Sequence, residues 1–174
     1  MSALYVHIPF CQHICTYCDF CKVFYNEKWA WQYLDALAFE IQQKQLSHDY
    51  KTIYIGGGTP TALTYEQLQY LFELLKPYAH HCQEWSMEIN PETMNHEKLE
   101  LCVQNGVNRL SIGVQTFHNH LLKKIGRVHT CEQVKSFILE AQNKGVQDIN
   151  IDLMYGLPEQ TIQDVCEDID ELVS

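Results

Sequence analysis

Long apolar runs are missing from this sequence. Its hydrophobic stretches are short and interrupted, far below the roughly 20 residues that cross a bilayer, so no membrane-spanning segment is expected. Basic charge is also scarce: 12 Lys and Arg stand against 22 Asp and Glu, a net charge of −10. Proteins that grip phosphate backbones usually carry a basic face, because counterion release supplies most of that affinity. The acid excess points away from nucleic acid and towards a small-molecule or protein partner. No low-complexity tract, Pro/Gly/Ser-rich linker or strong internal repeat is present. The first residues, Met1-Ser2-Ala3-Leu4-Tyr5, lack the basic and apolar regions of a signal peptide, and a cytoplasmic protein is the expectation. What remains is 174 residues, 46% hydrophobic, the size and composition of one folded domain.

Cysteine, by contrast, is plentiful. Of eight cysteines, four fall within the first 21 residues: Cys11, Cys15, Cys18 and Cys21. In a reducing cytosol such a cluster points to metal or redox chemistry rather than to disulfides. Cys82, Cys102, Cys131 and Cys166 are scattered and read as small buried hydrophobes. Three thiolates in Cys11-x-x-x-Cys15-x-x-Cys18 can wrap an iron–sulfur cluster from one loop and leave one iron without a protein ligand. The competing reading is a structural zinc domain completed by Cys21, His7 or His13. Zinc ribbons, however, pair two well-separated Cys dyads, and no second dyad is present.

Hydrophobic periodicity alternates along the chain. Strands are predicted over residues 4–8, 52–55, 84–89, 109–114 and 147–153, and helices over 27–45, 64–75, 96–105, 130–144 and 161–173. Thr64-Tyr65-Glu66-Gln67 has the form of a capping box, and Asn105-Gly106 and Lys144-Gly145 read as helix stops. About five strand–helix units imply a parallel sheet with helical crossovers. The pattern suits either a doubly wound sheet or a β/α barrel. The unusual residues gather at or just past the strand ends: Gly56-Gly57-Gly58-Thr59-Pro60, Glu88-Ile89-Asn90-Pro91, Gln115 and Asp152. That rim is where β/α folds build their sites. Taken singly, the glycines make a tight turn, Glu88 a solvated strand end, and Gln115, Arg127 and Asp152 ordinary surface or capping residues. His80 and His81 read as solvated, His118 and His120 as loop or helix-start residues, and His7 as either a core histidine or a support for the cysteine loop.

The cysteine loop, with Tyr17 before its third cysteine, resembles the signature of the radical S-adenosylmethionine superfamily. Tyr5-Val6-His7-Ile8-Pro9-Phe10-Cys11 is similar to one branch, the oxygen-independent coproporphyrinogen III oxidases and related heme chaperones. Gly56–Thr61, Glu88–Pro91, Gly113-Val114-Gln115, Gly126-Arg127-x-His129 and Asp152–Pro158 recur in the same order. The resemblance implies a partial (β/α) barrel of the α/β class. It also implies a 4Fe-4S cluster on Cys11, Cys15 and Cys18, and S-adenosylmethionine on the open iron, where reduction yields a 5′-deoxyadenosyl radical. By the same resemblance Gly57, Glu88 and Tyr5 meet that cofactor, and Gly58 and Thr59 face a second cofactor molecule or the substrate. Tyr17, Gln115, Arg127 and Asp152 would line the second site, Arg127 suiting a carboxylate.

The expected partners are a tetrapyrrole (heme or coproporphyrinogen III), an electron donor such as a flavodoxin or ferredoxin, and client hemoproteins. The oxidases place a fourth cysteine one residue after the third, beyond a long N-terminal extension. Here that position is Phe20 and the chain starts almost at its first strand, as in the heme chaperones. Cys21, one residue on, reads as a stray thiol. Residues 1–174 are therefore expected to be a radical S-adenosylmethionine core domain of five units, lacking the last barrel unit and C-terminal domain of the family. Its open edges would favour self-association.

Overall fold

A computed structural model describes residues 2–44, 46–47 and 50–173. Met1 and Gln45, the expected end of the first helix, lie outside the described residues. Strand β1 (Ala3–Ile8) is followed by two short strands, β2 (Phe10–Cys11) and β3 (Val23–Phe24), and by helix α1 (Glu27–Lys44). Strand β4 (Thr52–Gly57) leads to α2 (Tyr65–Leu75), and β5 (Glu84–Ile89) to α3 (His96–Gln104). Strand β6 (Arg109–Gln115) leads to the short α4 (Asn119–Lys124) and to α5 (Cys131–Asn143); β7 (Asp148–Leu153) and α6 (Ile162–Val173) follow.

Local chemistry sets these boundaries. Thr64 accepts from the Gln67 amide while the Gln67 side chain accepts from the Thr64 amide, the predicted capping box. Thr130 and Gln133 repeat the arrangement at α5, satisfying donors that a helix start otherwise leaves open. Gly106 and Gly145 follow α3 and α5 with φ of 97° and 91°, as the stop signals predict. The six residues of α4 and the two-residue strands β2 and β3 are too short to show a period, and the sequence does not announce them.

Five strands form one parallel sheet in the order β1-β4-β5-β6-β7. The order follows the chain without reversal, unlike a doubly wound sheet, which reverses at its switch point. One face carries Val6, Ile8, Ile53, Ile55, Trp85, Met87, Ile89, Leu110, Ile112 and Val114 in a single core. Against it pack Leu34 of α1, Phe72 of α2, Leu99 of α3 and Phe137 of α5. Burying one such Leu or Phe stabilises the fold by about 1.5–3 kcal/mol. The alternate residues, among them Tyr54, Glu88, Ser111, Gln115, Asn150 and Asp152, point to the other face, which is polar and lines a cavity. Helices on one side and a polar hollow on the other describe a segment of a β/α barrel.

Cys102 is fully buried, with its thiol pushed up to about 12 by desolvation. Cys166 corrects the reading of the scattered cysteines as packed: it is exposed on α6, on a face where Gln163, Glu167 and Asp170 are exposed too. Among the described residues no helix is long and apolar enough to cross a membrane.

Candidate functional site

The cysteine segment is a loop closed at its base. Strands β2 and β3 pair in parallel, Phe10 beside Val23 and Cys11 beside Phe24. The Val23 amide donates to Pro9 O at 2.8 Å, and the Tyr25 amide to Cys11 O at 2.8 Å. Inside that clasp Lys22 donates to the carbonyls of Cys18 and Phe20. His7 braces the far end through Nε2, 3.1 Å from Cys21 O; a carbonyl only accepts, so Nε2 carries the proton. This is the supporting role that the sequence left open for His7. Cys11 is buried, Cys15 and Cys18 are half-buried, Cys21 is exposed, and all four are free thiols. Burial pushes the Cys11 thiol up, opposed by the Thr59 hydroxyl, whose oxygen lies 3.5 Å from Sγ.

The glycine run forms the adjoining corner. Gly57 adopts φ of 121°, open to glycine and rare for other residues. A Cβ there would come within 2.6 Å of the His7 ring, and one on Gly58 within 2.8 Å of Phe10 O. In this conformation the Gly57 amide donates to Glu88 Oε2 at 2.9 Å, while Tyr54 donates to Oε1 at 2.8 Å. The Gly58 and Thr59 amides donate to Ile8 O and Phe10 O, both at 2.8 Å. The run thus ties β4 to the base of the cysteine loop.

At the other side of the cavity, a register shift between Gly113 and Gln115 bends the end of β6. Gln115 sits at φ of 74°, a cost of order 1 kcal/mol for a residue with a side chain. Its amide nitrogen would lie 2.9 Å from a Cβ on Gly113, so the bulge aims this side chain over the strand. Asp152 accepts from Asn150 at 2.9 Å and from Ser111 at 3.4 Å. Arg127 is 5% exposed and donates to Gly113 O at 2.6 Å, Asn90 Oδ1 at 3.0 Å and Glu92 Oε2 at 3.3 Å. Its carboxylate partner is thus one of the chain's own, and its Nε, likewise buried, has no partner. Tyr17 is pushed up by burial, beside Arg127 and Cys15.

These elements enclose a cavity of about 770 Å³. Its walls include eleven of the twelve predicted site residues: Cys11, Cys15, Cys18, Tyr17, Gly57, Gly58, Thr59, Glu88, Gln115, Arg127 and Asp152. Tyr5 lies outside the lining; it is 57% exposed, with its hydroxyl on His7 Nδ1 at 2.9 Å and its ring stacked on Tyr54. The sequence reading missed Tyr54, Asn90, Arg109, Ser111 and Asn150, which also line the cavity. The period-2 alternation of the strands carried that signal for four of them, and Asn90 sits in the Glu88–Pro91 motif. Asn90 links both sides, donating to Thr59 Oγ1 at 3.0 Å while accepting from Arg127.

Three unpaired thiols from one short loop, opening on a polar cavity, fit a cluster with one iron free for a ligand. Among the described residues the one trio of His, Cys, Asp or Glu ligand atoms within 4.8 Å of one another is His118, Asp164 and Glu167, not the cysteines. A single zinc ion with bonds of about 2.3 Å to sulfur would need the thiols drawn close together.

A model of the Radical SAM superfamily matches residues 5–172. The chain is similar over its whole length to the heme chaperone HemW of Bacillus subtilis (strain 168), at 45% identity and 48% of that protein's length. It is 34% identical to the oxygen-independent coproporphyrinogen III oxidase of Pseudomonas aeruginosa, covering 99% of this chain and 39% of that one. The solved structure of coproporphyrinogen III oxidase (HemN) from Escherichia coli, a radical SAM enzyme, matches with a TM-score of 0.89 at 32% identity. That match covers 98% of this chain and 41% of that one. The chain spans about half the length, or less, of the curated relatives it matches. It belongs to the radical SAM superfamily, which implies a 4Fe-4S cluster and S-adenosylmethionine as its cofactors.

Proposed function

We propose that Cys11, Cys15 and Cys18 hold the 4Fe-4S cluster, and that this chain is the cluster-bearing part of a heme chaperone that passes heme to client hemoproteins. When bound, the cluster and S-adenosylmethionine supply one-electron cleavage of a carbon–sulfur bond, fed by a donor such as a flavodoxin or ferredoxin. The chain's own groups bind and orient. Glu88 holds the Gly57 amide and the Tyr54 hydroxyl and would accept a hydrogen bond from S-adenosylmethionine, with Tyr5, stacked on Tyr54, on the same molecule. Gly58 and Thr59 close the corner under the cysteine loop. Tyr17, Gln115, Arg127 and Asp152 line the side facing a second cofactor molecule or the tetrapyrrole.

The observation that carries the chaperone reading is Phe20. It occupies the position at which the oxidase branch bears a fourth cysteine, and it is 73% exposed beside the loop.

The resemblance to the Pseudomonas aeruginosa oxidase and to the Escherichia coli structure favours a second reading, oxidative decarboxylation of the two coproporphyrinogen III propionates that become vinyls. One experiment separates the two. The anaerobically reconstituted chain is titrated with hemin, followed by the Soret band, and incubated with coproporphyrinogen III, S-adenosylmethionine and a low-potential reductant. Saturable heme binding without vinyl product supports the chaperone; vinyl product overturns it.

A further inference from the structure

Behind the cysteine loop lies a buried ion cluster to which the proposed function assigns only Arg127. Arg127 and His129 (5% and 4% exposed) precede α5, and Glu92 lies in the turn after β5. The side chains of Arg127, His129 and Glu92 are 2%, 0% and 10% exposed. Glu92 Oε2 accepts from His129 Nδ1 at 3.1 Å and from Arg127 at 3.3 Å. Burial pushes the Glu92 carboxyl up, but His129 and Arg127 hold it below its ordinary range. One terminal nitrogen of Arg127 meets Glu92, Asn90 and Gly113 O. The other is 3.7 Å from Cys15 Sγ.

A guanidinium reserved for a soluble ligand would present both terminal nitrogens to the cavity. This one has one nitrogen occupied by three acceptors, Gly113 O on β6 and Asn90 and Glu92 in the turn after β5, and the other on a cysteine 112 residues earlier in the chain. We infer that Arg127 is a positioning residue for the cysteine loop: backed by Glu92 and His129, it fixes a hydrogen bond and a positive charge at Cys15 and so sets the reduction potential of the cluster held there. The inference rests on Cys15 being a cluster ligand.

The physical basis is short. Reduction adds one electron to the cluster and its sulfurs. A donor and a positive charge at one sulfur stabilise that added charge and raise the potential. Glu92 opposes this in part. Water screens neither effect strongly, because all three side chains are buried.

The test is an EPR-monitored redox titration of the reconstituted chain without S-adenosylmethionine, with iron and sulfide counted for each variant. Arg127→Met is expected to shift the one-electron equilibrium about tenfold towards the oxidised cluster, ~59 mV lower. Arg127→Lys should recover part of that shift. Glu92→Gln, which keeps an acceptor oxygen for Arg127 and His129, should move the potential the opposite way. Full iron content with an unmoved potential in Arg127→Met and Glu92→Gln overturns the inference, above all if Arg127→Met weakens S-adenosylmethionine binding instead. Should Arg127→Met bind no iron, Glu92→Gln decides alone, an unmoved potential again overturning it. A wild-type chain that assembles no cluster defeats the cluster reading itself, and this inference with it.

Discussion

The Gly57 amide donates to Glu88 Oε2 at 2.9 Å, across neighbouring parallel strands, while Tyr54 holds the other oxygen at 2.8 Å. A carboxylate fixed on both sides presents a defined direction to the cavity. Replacing Glu88 with Gln leaves one oxygen to accept and puts an amide where the second acceptor stood. The expected cost is about 1–3 kcal/mol in a urea melt, with at least a tenfold loss of S-adenosylmethionine affinity by calorimetry on the reconstituted protein. Unchanged affinity would remove Glu88 from the site.

Gln115 couples strain to position. At φ of 74° it is strained, and glycine would relieve that strain. Gln115→Gly is expected to leave the chain as stable as before or about 1 kcal/mol more stable, while weakening cofactor binding. A melt and a binding isotherm on the same variant check both halves.

Acid should undo the buried ion cluster. Burial pushes Glu92 up, yet His129 and Arg127 bring it below its ordinary value of 4.5. A depressed carboxyl contributes stability that is present above its unfolded value and lost as pH falls through its folded value. The urea midpoint should therefore drop on acidification below about pH 4.5, and Glu92→Gln should flatten that part of the curve. A difference between the two proteins that grows above pH 6 instead would contradict the assignment.

Thiol labelling reads burial directly. Cys21 and Cys166 are exposed, whereas Cys102 is buried with its thiol raised to about 12. In the folded apo chain Cys21 and Cys166 should react first with a thiol reagent, and Cys102 only on unfolding. After anaerobic reconstitution Cys11, Cys15 and Cys18 should be protected while Cys21 still reacts. Protection of Cys21 would make it a ligand rather than a stray thiol.

The core carries an ordinary prediction. Phe72 is fully buried and meets Trp85 edge-on, ring centres 5.7 Å apart. Phe72→Ala should cost about 3–5 kcal/mol, measured as a shift in the urea midpoint without a change in slope.

Much of this was written in the chain itself. Strand and helix alternation follows from local periodicity, the capping box at Thr64 from four consecutive residues, and the three cysteines from their spacing. These signals are legible because the physics behind them acts over a few residues. The sequence also placed Gly57, Gly58, Thr59, Glu88, Gln115 and Asp152 at or just past strand ends, and all six line the cavity into which the cysteine loop opens.

Tertiary structure decided what depends on distant residues. It resolved the barrel segment against the doubly wound sheet, because strand order is set by which crossovers pack and not by any one strand. It closed the cysteine loop through the pairing of β2 with β3, two residues each and silent in the sequence. It kept Tyr5 out of the cavity lining although it pairs with Tyr54, because β1 is the edge of the sheet and the Tyr5 hydroxyl turns to His7 Nδ1, and it set Asn90 between Thr59 and Arg127. It also set Arg127 on Cys15, with Glu92 and His129 behind, because burying a charge requires partners wherever the fold can supply them.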